Sequence, residues 1–519
     1  MAVGKYKAYI DWNADGDFSD PREDVTSDIL DGRTPVTIQY GRDQERALSP
    51  IAPGEARFAL DNQARLYSPE NTSSALYDQV VPSRAFLMTG QIGTGTVYTL
   101  VRADLDDLRL QPDREDRYLS IDCLDGLGQL RGTTISTGVY QGLRPGEAIA
   151  IILDAVGWPA ALRDLDLGAT VMPFWWLDNA DAFSAILELV DSEGPPALVT
   201  IDTNGKLVFR SRHHRLQLAA STTSQSTWRS GGTAGTVEPM FSAPADYSAG
   251  FKEIINAVSF ELPQLAVSAD VTTVWSSQGQ ISIGAGETLQ VVAQGNTPFV
   301  NAVPSVAGTD FTVLAGSVTV SLSRTSGASA TILLTASGSA VIADLQLRGQ
   351  AVNTASTIQV SAEDGASILK YGRSSLPSGR EPKWASRGDA AAICSIILGQ
   401  RAERLPTISV TMKAANSTRL TQMLSRNLSD RVHITESHSG LDADCFIERI
   451  SHTITQGGAD HQTTFGLEKC ATQITGAFIL GSATSGVLGT NRLGRRGLAN
   501  PSTMFVLGTS VLGTGILAA

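Results

Sequence analysis

The chain has 519 residues, too many for one undivided hydrophobic core, so roughly three to five domains are expected. Only 18% of its residues are charged while Gly reaches 49, a balance that favours strands and turns over charged helical surfaces. The net charge of −12 is spread among interspersed basic residues and leaves no nucleic-acid footprint, and no apolar run is long enough to span a bilayer.

The N-terminus carries Lys5 and Lys7 but no apolar run behind them, so it reads as neither secretory signal nor membrane anchor. Residues 1–132 read as short strands separated by polar turns. Lys7–Ile10, Thr34–Tyr40, Glu55–Leu60, Thr96–Arg102 and Tyr118–Cys123 alternate partially, with Pro, Gly and Asp between them at barrel- or sandwich-like spacing.

Residues 133–264 change character. Pro145 suits a first helical turn, Ala148–Val156 is apolar, and Gly157-Trp158-Pro159 ends the run, which predicts a helix. A second helix is expected from a cap at Asp178 or Asn179 to about Asp191. Its Phe183, Ile186, Leu187 and Val190 recur at three- and four-residue spacing and form one buried stripe. Ala197–Ile201 and Lys206–Arg210 flank Thr203-Asn204-Gly205, where Asn-Gly supplies the positive φ of a tight hairpin. The stretch Arg210–Arg215 reads as a solvated strand end.

In residues 265–350, Ile281, Val291, Phe311, Val318, Ile332, Ile342 and Leu347 punctuate a Ser/Thr/Gly-rich sequence, the pattern of a small inserted β-sandwich. Residues 351–470 read as a β-domain with one helix near Asp389–Leu398. Its strands are expected at Thr407–Met412, Arg431–Glu436, Cys445–Ile454 and Thr463–Glu468, with Ser437–Asp444 as a loop. In residues 471–519, Leu488 and Leu493 stand in Leu-Gly repeats. Leu507, Leu512 and Leu517 then recur every five residues, which fits neither a helix stripe nor a strand face. This segment reads as an extended, repetitive docking tail that needs an external surface. The fold class is therefore mainly β with minor α, and multidomain.

The sharpest local chemistry is Asp11-Trp12-Asn13-Ala14-Asp15-Gly16-Asp17. Asp11, Asn13, Asp15 and Asp17 follow the one-three-five-seven rhythm that turns oxygens toward Ca²⁺, and Gly16 permits the tight turn. Position twelve is Arg22, so Glu23 or Asp24 would have to close the set, and the preceding strand excludes a helix-loop-helix site. The competing reading is an Asx-rich turn that satisfies its own amides.

Trp158 with Phe174-Trp175-Trp176 is the strongest aromatic concentration, read as core or interface more readily than as a ligand groove. Cys123, Cys394, Cys445 and Cys470 form no metal-ligand pair and read as free and buried. His433, His438, His452 and His461 are close enough in sequence to meet but lack zinc spacing. No HExxH, GxSxG or phosphate loop occurs, so an enzyme is not expected.

Taken together, Ile10–Phe18 with Glu23-Asp24-Val25-Thr26, Gly41-Arg42, Ala59-Leu60-Asp61-Asn62 through Tyr67-Ser68-Pro69, and Gly205–Arg215 form a recurring pattern. Ile254–Val258, Asp430-Arg431-Val432, Phe446-Ile447-Glu448-Arg449-Ile450, Thr463–Leu467 and Leu488–Gly494 extend it. The combination resembles the minor tail, or baseplate-hub, proteins of long-tailed bacteriophages and related prophages. That resemblance implies β-barrel-like hub domains, a homotrimer around the tail axis, and a place at the tail tip of the virion. It also implies contact with a distal tail protein, the tape-measure protein and receptor-binding or fibre proteins, with DNA passing through unread. The alternative is a carbohydrate-binding adhesin or receptor-binding tail protein, with residues 265–350 meeting a host-surface glycan. A glycan hydrolase is a weaker alternative.

Overall fold

The computed structural model describes residues 4–42, 48–112, 116–230, 245–324, 326–377, 379–436 and 439–470. The expected docking tail, with Leu488, Leu493, Leu507, Leu512 and Leu517, lies outside them, as does His438.

The chain is mainly β with minor α, and its largest unit is a 12-stranded sheet drawn from both ends of the sequence. Starting from one edge, the strands run Gly4–Ile10, Ala85–Ile92, Val97–Pro112, Arg117–Leu124, Ile51–Asp61 and Val36–Arg42. They continue with Leu441–Thr455, Asp460–Lys469, Thr407–Lys413 and Asp246–Ser248. Arg431–Glu436 pairs with Leu441–Thr455, and Thr227–Arg229 pairs with Arg431–Glu436.

Alternation explains the strands: Phe86 and Met88 face inward along Ala85–Ile92 while their neighbours face outward. The decisive junction is antiparallel, with Val36 opposite Ile454 and Gly41 opposite Arg449. One core lies against both halves, joining Ile10, Phe58, Phe86 and Ile121 to Val410, Ile434, Ile450 and Phe465. Phe58 and Phe86 stack at its centre with ring centroids 4.4 Å apart.

Helix Ser417–Ser425, which the sequence reading did not foresee, sends Leu420, Met423 and Leu424 into this core. In place of separate barrel-like domains there is one sheet shared by residues 4–124, 227–229, 246–248 and 407–469, and among the described residues no barrel closes.

A second unit occupies residues 126–217. Helices Pro145–Ala155 and Ala182–Glu193 share a core with hairpin strands Leu198–Ile201 and Leu207–Arg210 through Ile149, Ile152, Phe183, Ile186, Leu189 and Phe209. The second helix is capped by Asp181, whose carboxylate accepts the Ser184 amide at 2.8 Å, and not by Asp178 or Asn179. The reason is that Ala180–Asp181 pairs with Thr134–Ile135, which holds the chain extended until residue 181.

Strands Ala257–Val267 and Gln346–Glu363 form a long antiparallel ribbon leading to the inserted module. There Thr288–Gln294, Ser329–Ala336 and Val318–Arg324 form one sheet, and Gln280–Ile283, Ala340–Ala343 and Thr312–Ala315 another. They enclose Ala293, Phe299, Ile332, Leu334, Ile342 and Leu347. The base of the ribbon packs on helix Arg387–Arg401 through Val258, Phe260, Ile393, Cys394 and Ile397.

Two further boundaries differ from the sequence reading. The helix near residue 389 starts at a Ser386 cap and runs to Arg401, and Leu441–Asp444 is strand paired with Arg431–Glu436 instead of loop.

Where the curled sheet brings its first strand near Asp460–Lys469, the contact is polar. The Tyr6 hydroxyl hydrogen-bonds His461 Nδ1 at 2.6 Å, and His461 Nε2 meets His452 Nδ1 at 3.0 Å, with the Thr463 hydroxyl 2.9 Å from His452. Burial lowers the His452 pKa to about 4, and His461 is held well below its ordinary value by burial and by His452.

A histidine with a depressed folded pKa supports stability above its unfolded value of about 6.5 and loses that support as pH falls toward the folded one. His452 should therefore cost about 2 kcal/mol of stability between pH 6.5 and pH 5. Denaturant titrations across that range should show a steeper pH dependence in the wild type than in His452→Gln.

Candidate functional site

The acidic loop leaves the sheet at the end of its edge strand. Asp11 is held there because its amide donates to the Ala85 carbonyl at 3.0 Å, and its own carboxylate accepts the amides of Asp15 (3.2 Å) and Gly16 (2.9 Å). Gly16 has φ +93° and Ala14 φ 60°, so the chain doubles back over Asp11. The return leg is pinned by the Ile10 amide on the Glu23 carbonyl at 2.9 Å and the Trp12 indole on the Arg22 carbonyl at 3.2 Å.

The outcome is selective. One oxygen each from Asp11, Asp15 and Glu23 lie within 4.8 Å of one another. Asn13 sits beside them and donates to Asp15 (3.1 Å) and Asp20 (2.6 Å). Asp17 turns away to accept the Ser19 amide at 2.8 Å, and Asp24 pairs with Lys7 at 3.3 Å. The sequence rhythm treats these carboxylates alike, whereas the return of the chain separates them. Burial raises the Glu23 pKa, and Asp11, Asp20 and Asp15 add to that effect against the Asp20 amide, which opposes it.

The aromatic concentration splits three ways. Trp175 is fully buried and packs on Tyr140, with ring centroids 5.9 Å apart. Trp158 covers Gly126, where an added Cβ would come 2.3 Å from the indole, and donates to the Leu162 carbonyl at 2.9 Å. Trp176 meets Trp384 edge-on at 5.1 Å and packs on Gly327 of the inserted module, so it is an interface within the chain. Phe174 is half-buried beside them.

None of the four aromatics lines the cleft of about 560 Å³ between Gly138–Gln141 and the module residues Val300–Ala302 and Leu322–Arg324. Within the module, Phe299 and Phe311 are buried and Trp275 is partly buried, so no aromatic platform is exposed among its described residues.

The junction between units holds buried charged residues, among them Arg212 and Arg215 of the stretch expected to be a solvated strand end. Glu448 lies buried between Arg215, to which it is hydrogen-bonded, and Arg42, 3.8 Å away. Burial would raise the Glu448 pKa, but Arg215 and Arg42 outweigh it and hold the carboxyl below its usual value. Arg215 also stacks over Phe446 at 4.2 Å.

Arg212 is buried as well, donating to the Glu193 carbonyl at 3.0 Å and pairing with Asp389 at 3.3 Å. His214 bridges the Ser211 carbonyl (2.7 Å) and the Ser429 hydroxyl (2.9 Å). Arg210–Arg215 is therefore no solvated strand end: Arg215 staples the second unit to the sheet through Glu448, Arg212 ties it to helix Arg387–Arg401 through Asp389, and Arg210 pairs with Asp164 and Asp166 of its own unit. These partners are too distant in sequence to be read locally.

No family model and no close curated protein matches this chain. Among solved structures, it is similar to a tail protein from Neisseria meningitidis MC58, at 10% identity over 90% of this chain and 97% of that one, TM-score 0.47. It is also similar to the 43 kDa tail protein of prophage MuSo2 from Shewanella oneidensis, at 12% identity over 89% and 98%, TM-score 0.44. A third is prophage tail protein gp18 from Listeria monocytogenes EGD-e, at 9% identity over 91% and 96%, TM-score 0.40. These structural neighbours are tail proteins. At these scores and identities, the functional reading rests on the chain's own residues.

Proposed function

We propose that the chain is a structural hub of a phage tail tip. In this reading it forms a homotrimeric ring around the tail axis and joins the distal tail protein, the tape-measure protein and receptor-binding or fibre proteins. Its task is mechanical: to close the tail and let DNA pass on ejection without sequence-specific binding.

The observation that carries the reading is the single sheet built from both ends of the chain and stapled to its neighbour by the buried Arg215–Glu448 ion pair. A hub must pass load between partners without yielding. Ladder hydrogen bonds across the Val36–Arg42 and Leu441–Thr455 junction resist that load in shear.

The motifs that resemble tail hubs fall on this body. Asp11–Phe18 caps its edge strand, and Phe446-Ile447-Glu448-Arg449-Ile450 supplies both the junction strand and its buried carboxylate. Closure into a ring then needs only one repeated interface. Light scattering on the purified full chain should give three times the 54.8 kDa chain mass. A mass of one chain at every working concentration would count against the ring.

A further inference from the structure

We propose that the loop from Asp11 to Glu23 is a Ca²⁺ site, with carboxylates of Asp11, Asp15 and Glu23 as ligands and Asn13 and Asp20 setting their positions. The cluster alone would be unremarkable, since exposed acidic turns are common. What distinguishes it is Glu23, only 1% exposed, whose Oε2 accepts the Asp20 amide at 2.9 Å while its buried Oε1 has no hydrogen-bond partner. A buried carboxylate oxygen left without a partner is costly unless something else meets it. Here Glu23 stands within reach of the Asp11 and Asp15 oxygens.

Charge points the same way. Three carboxylates converge, Asp11 is itself 3% exposed, and no ion pair among the described residues reaches Asp11, Asp15 or Glu23. Their mutual repulsion calls for a cation. The donors are all oxygen, which selects a hard ion, and they sit on an irregular loop, which suits the variable shell of Ca²⁺ better than the strict octahedron of Mg²⁺.

Binding would also do something for the fold. The return leg Glu23–Thr26 lies along the edge strand, with Val25 donating to the Ala8 carbonyl at 3.0 Å and Ala8 to the Thr26 hydroxyl at 3.0 Å. An ion bridging Asp11 to Glu23 locks this cover over the sheet's open edge and blocks stray strand pairing there.

Trp12 makes the test direct, because its indole donates to the carbonyl next to Glu23 and can sensitise bound Tb³⁺. On the full chain, Tb³⁺ luminescence excited through tryptophan should be displaced by Ca²⁺ and far less by Mg²⁺. Asp15→Asn and Glu23→Gln should each weaken Ca²⁺ by at least about tenfold, while Asp17→Asn and Asp24→Asn stay within about twofold of wild type. Asp15 is exposed, so its variant keeps the fold testable. Failure of Ca²⁺ to displace Tb³⁺ from the wild type would overturn the site, as would equal losses in the Asp17 or Asp24 variants.

Discussion

Glu448→Ala is expected to destabilise the protein by about 3–5 kcal/mol, the usual cost of removing one partner from a buried ion pair. The carboxylate is 4% exposed and faces two guanidinium groups, so its loss leaves Arg215 and Arg42 charged, desolvated and repelling each other. Those two arginines come from different units, one following the hairpin of the second unit and one ending the sheet strand Val36–Arg42.

The damage should therefore be read locally as well as globally. Amide exchange in Leu441–Thr455 should accelerate first, together with a lower denaturant midpoint. The triple change Arg42→Met, Arg215→Met and Glu448→Met should recover most of the loss, because apolar replacement of a whole buried cluster is often neutral. A Glu448→Ala cost within about 1 kcal/mol, in the range of an exposed pair, would show that the junction does not depend on it.

Gly41→Ala is expected to cost at least about 3 kcal/mol, for a different reason. Gly41 has φ +112°, and an added Cβ would sit 2.3 Å from the Glu448 carbonyl oxygen and 2.8 Å from the Arg449 Cα. Both obstacles are backbone, so no side chain can swing aside; the strands must part. Exchange protection should fall in Val36–Arg42 and Leu441–Thr455 together while the inserted module, which has its own core, is unaffected. Gly93→Ala is the control: its φ is also positive, at +59°, but open space surrounds it, so only the conformational cost of about 1 kcal/mol applies. Equal effects at the two glycines would contradict the close approach.

Much of the local structure was legible. The helices at residues 145–155 and 182–193 and the hairpin at residues 198–210 announce themselves through stops, periodicity and an Asn-Gly turn within a dozen residues. What could not be read was partnership. Alternation tells that Val36–Arg42 and Leu441–Thr455 are strands, but nothing local says that residues from opposite ends of the chain pair.

The same blindness placed Arg212 and Arg215 in solvent, since an arginine reads as surface until Glu193, Asp389 and Glu448 are seen beside it. It left His452 and His461 as neighbours of unknown geometry, when the hairpin register puts them in contact. In the acidic loop, the rhythm named four oxygen donors and left Glu23 or Asp24 to close the set, and only the fold of the return leg tells Asp15 and Glu23, which converge, from Asp17 and Asp24, which are occupied elsewhere.

The central claim is that this stapled sheet is the scaffold of a ring on the tail axis. Imaging the native particle by electron microscopy, with this chain located by a tag, tests it most directly. The proposed role predicts three-fold density at the tail tip, with the sheet-bearing bodies surrounding the lumen. A single copy placed off the axis, at the periphery of the particle, would contradict it.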